Sequence, residues 1–262
     1  KKKDFDFDQA FIGGPIDRGF DSYFGIHSSP GAFPLFYLKD RKAVAKPSEK
    51  TSWEKMKTGG GTTTIKALKS PDFELDEASP TFCQRAVELI RNHADSNSGQ
   101  PFFLYYASPI PHSPWVPSKA FKGKSGHGDY GDFVMQLDDL VGQINQALMD
   151  TGLDKNTLLI FTSDNGPGPH ATRLMAADDH YCAGPLRGSK ASIYEGGERG
   201  PGRVGPATGI DRGPECEASG GPLSPSGGRR ARRHQHRQRV APATKRRKTA
   251  ILSTRVGRAP NA

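Results

Sequence analysis

The sequence predicts an α/β domain with a mixed, mostly parallel sheet, and two observations carry that reading. Two segments with apolar residues at helical spacing alternate with two short apolar runs over residues 79–162. Helix, strand, helix, strand at these lengths is what right-handed crossovers between parallel strands require. The runs are also rich in aromatic and branched residues, which favours buried strands over pieces of helix.

The first helix is expected to start at Ser79-Pro80, an N-cap residue followed by proline at the first helical position, with Ala86, Leu89, Ile90 and His93 on one face. A Ser/Asn/Gly loop over 96–100 leads into Phe102-Phe103-Leu104-Tyr105-Tyr106-Ala107, the first predicted buried strand. The second helix spans 130–150. Phe133, Leu137, Leu140, Val141, Ile144 and Leu148 make its apolar face, and Gly152 is placed to end it. Thr157 to Thr162 is the second predicted buried strand. Residues 1–78, with Gly19-Phe20-Asp21-Ser22-Tyr23-Phe24-Gly25 and a Gly59-Gly60-Gly61 linker, suit long loops and short strands over the sheet's edge.

The chain divides at Arg199. Residues 1–199 carry the periodic pattern, whereas residues 200–262 contain no Phe, Trp or Tyr, ten Gly, seven Pro and 14 Lys/Arg. Such a segment cannot bury enough apolar surface to offset chain entropy, so disorder is expected there. Its Arg, Gly, Pro and Ala excess is also what out-of-frame GC-rich codons produce. The formal charge of +9 comes from this tail, because residues 1–199 hold two more acidic than basic groups. A nearly neutral body and a tail without aromatics argue against a nucleic-acid partner. No apolar run is long enough to cross a membrane. Cys83, Cys182 and Cys216 are widely spaced and read as isolated thiols.

The sharpest chemical signal is Ser163-Asp164-Asn165-Gly166, directly after a predicted strand. Ligands of open α/β sheets collect beyond the carboxyl ends of strands, and Asp beside Asn offers two hard oxygen donors suited to Ca²⁺ or Mg²⁺. The same tetrapeptide is also favoured turn chemistry by itself. His112, in the proline-stiffened Ser108-Pro109-Ile110-Pro111-His112-Ser113-Pro114, could protonate a leaving group. Lys190, in Gly184-Pro185-Leu186-Arg187-Gly188-Ser189-Lys190, could neutralise a tetrahedral oxyanion. His127, His170, His180, Asp138-Asp139 and Asp178-Asp179 have no spacing that implies shared ligation and read as structural or solvated.

Taken together, these segments resemble the type I sulfatase family, arylsulfatase A-like. The resemblance rests on Pro101 to Ser108 with His112 after it, Gly131-Asp132-Phe133-Val134, Thr157 to Pro167, and Leu186 to Lys190 through Glu195-Gly196-Gly197, in the family's order. Gly19 to Gly25 resembles the family's Gly-Phe-Asp-x-Tyr-Phe-Gly segment, and the match spans residues 17–199. The resemblance implies an alkaline-phosphatase-like α/β sandwich with helices on both faces of a central sheet. It implies a sulfuric ester hydrolase acting on an aryl sulfate or a sulfated carbohydrate, exported to the periplasm, the extracellular space or the lysosome. It further implies that Asp164 and Asn165 are calcium ligands, Lys190 holds the sulfate and bridges to the leaving oxygen, and His112 contacts that oxygen as general acid.

Two departures bear on activity. The family's nucleophile motif, Cys/Ser-x-Pro-Ser-Arg, whose Cys or Ser becomes formylglycine, occurs nowhere in these 262 residues, nor does the Lys-x-His of its Gly-Lys-Trp-His-Leu-Gly segment, and neither Asp138-Asp139 nor Asp178-Asp179 stands in the early position of the family's metal-binding Asp-Asp pair. The expectation is therefore a partial catalytic domain over 1–199 that does not turn over substrate by itself. After Arg199 the family's Val-Pro strand is replaced by Gly200-Pro201-Gly202-Arg203. Two other readings stay open: a phosphate or phosphonate ester hydrolase of the same superfamily, and a non-enzymatic binder using Arg229-Arg230-Ala231-Arg232-Arg233 and Lys245-Arg246-Arg247-Lys248.

Overall fold

The computed structural model describes residues 6–58, 61–198 and 202–206. The chain opens with a three-stranded antiparallel sheet of β1 (Phe24–Ile26), β2 (Tyr37–Lys39) and β3 (Lys42–Ala43). A long hairpin follows, β4 (Glu49–Thr58) against β5 (Gly61–Lys69), with Thr58 opposite Gly61 as its closing pair. Gly61, expected in a linker, therefore belongs to a ladder, and Gly59 and Gly60 lie outside the described residues.

Helix α1 (Ala78–Asp95) begins earlier than its sequence signal. Glu77 is the capping residue, its carbonyl accepting from the Thr81 amide at 2.9 Å, and Ser79 is buried inside the first turn with no capping role. Packing decided this, because Ala78, Phe82, Cys83, Ala86 and Ile90 all turn inward from that start. Helix α2 (Gly128–Asp150) lies against α1, and Phe133, Leu140, Ile144, Ala147 and Leu148 meet Cys83, Ala86 and Ile90 in the main core. Gly152, at φ +70°, receives the chain in the left-handed conformation after α2, its amide donating to Met149 O at 3.0 Å.

Two polar residues sit on the buried face of α2. The Asp132 carboxylate accepts from the amides of Gly123 (2.7 Å) and Ser125 (2.8 Å), and Gln136 Oε1 accepts from the Ser118 amide (2.9 Å). Loop 118–125 is thus tied to the helix by its backbone donors, which find their acceptors on α2. Burial alone would raise the Asp132 pKa, but the amides of Ser125, Gly123 and Lys124 and the Ser125 hydroxyl hold it below the ordinary carboxylate value.

A second cluster gathers Ile26, Leu35, Tyr37, Phe73 and Phe82. Leu104 and Tyr106 pack on both clusters and join them. Fully burying side chains such as Phe36, Phe73 and Phe82 contributes roughly 1.5–3 kcal/mol each.

Beyond α2 come β6 (Leu158–Thr162), α3 (Pro169–Ala176), a single turn α4 (Glu195–Glu198) and β7 (Gly202–Pro206). Three expectations are corrected here. Residues 102–107 are extended but belong to no named sheet: Phe102, Leu104 and Tyr106 face the core, while Phe103 and Tyr105 are 50% and 55% exposed. A strand exists only with a ladder partner, and sequence composition does not supply one. β6 is a strand but not a buried one, since Leu158 and Ile160 are 65% and 57% exposed while Leu159 packs inward. Its partner is β7, antiparallel, with Ile160 opposite Val204. β7 falls in the segment expected to be disordered; an antiparallel ladder is built from backbone groups and does not need the aromatic residues the tail lacks. The rest of 200–262 lies outside the described residues, as does Cys216. Every named sheet is antiparallel, with one isolated parallel bridge between Leu35 and Lys69. No helix among the described residues is long and apolar enough to cross a membrane.

Candidate functional site

β6 delivers the chain into the Ser163–Pro167 turn. Ser163 Oγ donates to the Asn165 carbonyl (2.6 Å), and Asn165 Nδ2 donates to Gly166 O (2.9 Å). With its nitrogen so engaged, the Asn165 amide oxygen is left as an acceptor beside the exposed Asp164 carboxylate. This donor set of one carboxylate and one amide oxygen suits a hard cation such as calcium in type, and supplies two of the six or more oxygens that calcium takes. Among the described residues no three His, Cys, Asp or Glu side chains surround a common point.

The lysine loop is fastened to this turn by its backbone. Gly166 N–H donates to Gly197 O at 2.9 Å and Lys190 N–H donates to Pro167 O at 2.8 Å. Gly196 N–H donates back to Arg187 O at 2.8 Å, closing the loop on itself. The approach is too close for side chains: a Cβ on Gly166 would stand 1.9 Å from the Gly196 carbonyl oxygen. Gly188, at φ +97°, and Ala191, at φ +72°, turn the chain so that Ser192 Oγ accepts from the Ser189 amide at 3.2 Å. The Arg187 guanidinium lies 4.0 Å over the Tyr194 ring and braces the loop from outside. Lys190 is half-buried, and its ammonium takes no acceptor among the described residues.

His112 is held differently. Its amide donates to Pro109 O (3.2 Å), its Nδ1 lies 2.6 Å from Ser113 O, and the ring is exposed. Three residues on, Trp115 is buried, stacked on His170 at 5.3 Å and 11° and tilted against Tyr130 at 5.1 Å. His170 lies in the first turn of α3, four residues past Gly166. The structure therefore fastens the Asp164–Asn165 turn to the Lys190 loop by backbone bonds at Gly166 and Pro167, whereas His112 is linked to this region through the Trp115–His170 stack, three residues along its own loop.

Sequence spacing missed a second grouping. His127 Nδ1 lies 3.4 Å from Asp178 Oδ2, and the His127 and His180 rings are 5.4 Å apart. These residues, read as unrelated, meet across 51 positions of chain, a separation no local spacing reveals. Cys83 and Cys182 are free thiols, as expected. A small apolar cleft lined by Leu89, Ile90, His93, Phe102 and Leu104 shares no residue with either grouping.

Comparison with known proteins identifies the family. The sulfatase family model matches residues 38–202, which is more than half of the chain. The chain belongs to the sulfatase family. N-acetylgalactosamine-6-sulfatase of Rattus norvegicus is 35% identical over 187 residues, 71% of this chain and 33% of that protein. Human arylsulfatase A is 45% identical over 102 residues, 39% of this chain and 19% of its own length. A solved sulfatase structure from a glycosaminoglycan-metabolism locus of Bacteroides thetaiotaomicron superimposes with a TM-score of 0.63 at 27% identity, covering 78% of this chain and 49% of that one. The sulfatase fold is accordingly the alkaline-phosphatase-like α/β architecture expected from sequence, although the parallel pairing of its strands is not made among the described residues. The chain spans about a third or less of the length of the curated relatives it matches.

Proposed function

We propose that this sulfatase chain contributes the cation and sulfate-binding half of a sulfuric ester hydrolase. The observation that supports this best is the pair of backbone bonds, Gly166 to Gly197 and Lys190 to Pro167, that hold an ammonium-bearing loop against an Asp–Asn turn. In this reading Asp164 and Asn165 are two ligands of a calcium ion, which when bound acts as a Lewis acid on sulfate oxygens. Lys190 neutralises the sulfate and the leaving oxygen, and His112 protonates that oxygen as the ester bond breaks. The nucleophile, a formylglycine in the family, has no counterpart among Cys83, Cys182 and Cys216, none of which is followed by the required Pro and Arg.

A sulfated carbohydrate is the substrate class we favour over an aryl sulfate, because the relatives matched over the longest stretch bear the name N-acetylgalactosamine-6-sulfatase. The 262-residue chain alone is expected to release no sulfate from 4-nitrophenyl sulfate or from 6-sulfated N-acetylgalactosamine. A polypeptide that joins a formylglycine-bearing segment to residues 1–199 should hydrolyse the sulfated sugar in calcium, and Lys190→Ala in it should lower kcat at least a hundredfold. Turnover indifferent to Lys190→Ala and Asp164→Ala would overturn the assignment.

A further inference from the structure

We propose that His127 and His180 form a binding site for a divalent transition-metal ion, zinc being the simplest probe, with Asp178 orienting His127. The inference is independent of the sulfatase reading, because it uses none of Asp164, Asn165, Lys190 or His112. Two helix ends create the grouping. His127 caps the start of α2, flanked by Gly126 and Gly128 at φ +75° and +70°, with its amide donating to Ser125 Oγ at 3.0 Å. Opposite it the chain leaves α3 through a tight turn in which the Asp178 and His180 amides both donate to Met175 O, at 3.0 and 2.9 Å. Asp179 takes the left-handed conformation in that turn, φ +54°, and both of its neighbours, Asp178 and His180, come to lie against His127.

The resulting geometry has the parts of a two-histidine chelate. The rings stand 5.4 Å apart and tilted by 33°, a separation that two imidazoles can span by each giving one nitrogen to a common ion. The Asp178 carboxylate lies 3.4 Å from Nδ1 of His127, the position from which an outer carboxylate fixes the tautomer and leaves Nε2 to bind. Imidazole nitrogen selects copper, nickel and zinc over calcium or magnesium, so this site would not compete with hard cations for the Asp164–Asn165 turn. Since no third His, Cys, Asp or Glu is in place among the described residues, water completes the coordination. All three side chains are solvent-accessible, so the ion can enter without opening the core. Its binding would pin the loop after α3, which runs on to Lys190, against the start of α2.

Calorimetric titration of the full chain with zinc chloride tests this. Cys216, His234 and His236 offer other donors, so the measurement is made on a Cys216→Ser, His234→Gln, His236→Gln background. One zinc per chain is expected to persist there. His127→Gln and His180→Gln should each weaken it at least tenfold, Asp178→Asn about tenfold, and His93→Gln, in the apolar cleft beside Phe102, less than twofold. Nitrogen splitting in the Cu²⁺ electron paramagnetic resonance spectrum should fall from two nitrogens to one in either histidine variant, and circular dichroism should show each still folded. Loss of binding on the tail-substituted background, or affinity unchanged by both His127→Gln and His180→Gln, would overturn the proposal.

Discussion

Gly166 donates its amide hydrogen to the carbonyl of Gly197 at 2.9 Å, and the two strands of chain pass so closely that neither can carry a side chain at the crossing. A Cβ at Gly197 would meet Ser189 O at 2.4 Å, just as one at Gly166 would meet Gly196 O at 1.9 Å. This crossing holds the Asp164–Asn165 turn against the Lys190 loop.

Gly166→Ala should therefore separate the two loops. The expected cost is about 1–3 kcal/mol or more, since backbone atoms on the far side have no rotamer by which to yield. Gly168→Ala is the control, because a Cβ there meets nothing within 4 Å and its φ is −66°; a change within about 1 kcal/mol is expected. Urea unfolding of both variants checks the difference, and amide exchange at Lys190 should rise in the first only.

The tie between α2 and loop 118–125 should make the fold acid-sensitive through Asp132. Its pKa is lowered in the folded state, so its contribution is fully present above the unfolded value near 3.8 and is lost as pH falls through the folded value. Asp132→Ala should cost about 2–3 kcal/mol at pH 7, because the Gly123 and Ser125 amides lose a charged acceptor. The loss should shrink at pH 3, below the ordinary carboxylate value, because there the unfolded chain takes up the proton before the native carboxylate does. Denaturant titrations of both proteins at the two pH values measure it.

Phe82 bridges α1 to the N-terminal sheet, edge-on to both Phe24 and Tyr37. Phe82→Ala should lower stability by about 3–5 kcal/mol, the range for emptying a fully buried aromatic site. The midpoint of urea unfolding reports it, and a change below 1 kcal/mol would mean that α1 and the N-terminal sheet are not mechanically joined there.

Burial pushes the Cys83 thiol up to about 11, with the nearby Asp139 carboxylate adding to the shift, and its Sγ donates to Leu140 O at 3.3 Å. At pH 8 the native protein should leave Cys83 unmodified by iodoacetamide, whereas the half-buried Cys182 should react slowly. Peptide mass spectrometry with and without urea distinguishes them; rapid native labelling of Cys83 would show that the α1–α2 interface opens.

Local chemistry in the sequence determined the two long helices, the Gly152 stop, the turn at Asp164–Asn165 and the glycine-bounded lysine loop, because helical periodicity and turn preference act over a few residues. Four ordered motifs were enough to assign the family. Only the tertiary structure decided that α1 starts at Ala78, that residues 102–107 join no named sheet while β6 takes β7 as its neighbour, and that Asp132 and Gln136 are buried. It alone brought His127 to Asp178 and His180. Those outcomes depend on which backbone donors and which side chains meet across tens of residues, and no short-range pattern encodes a partner that distant.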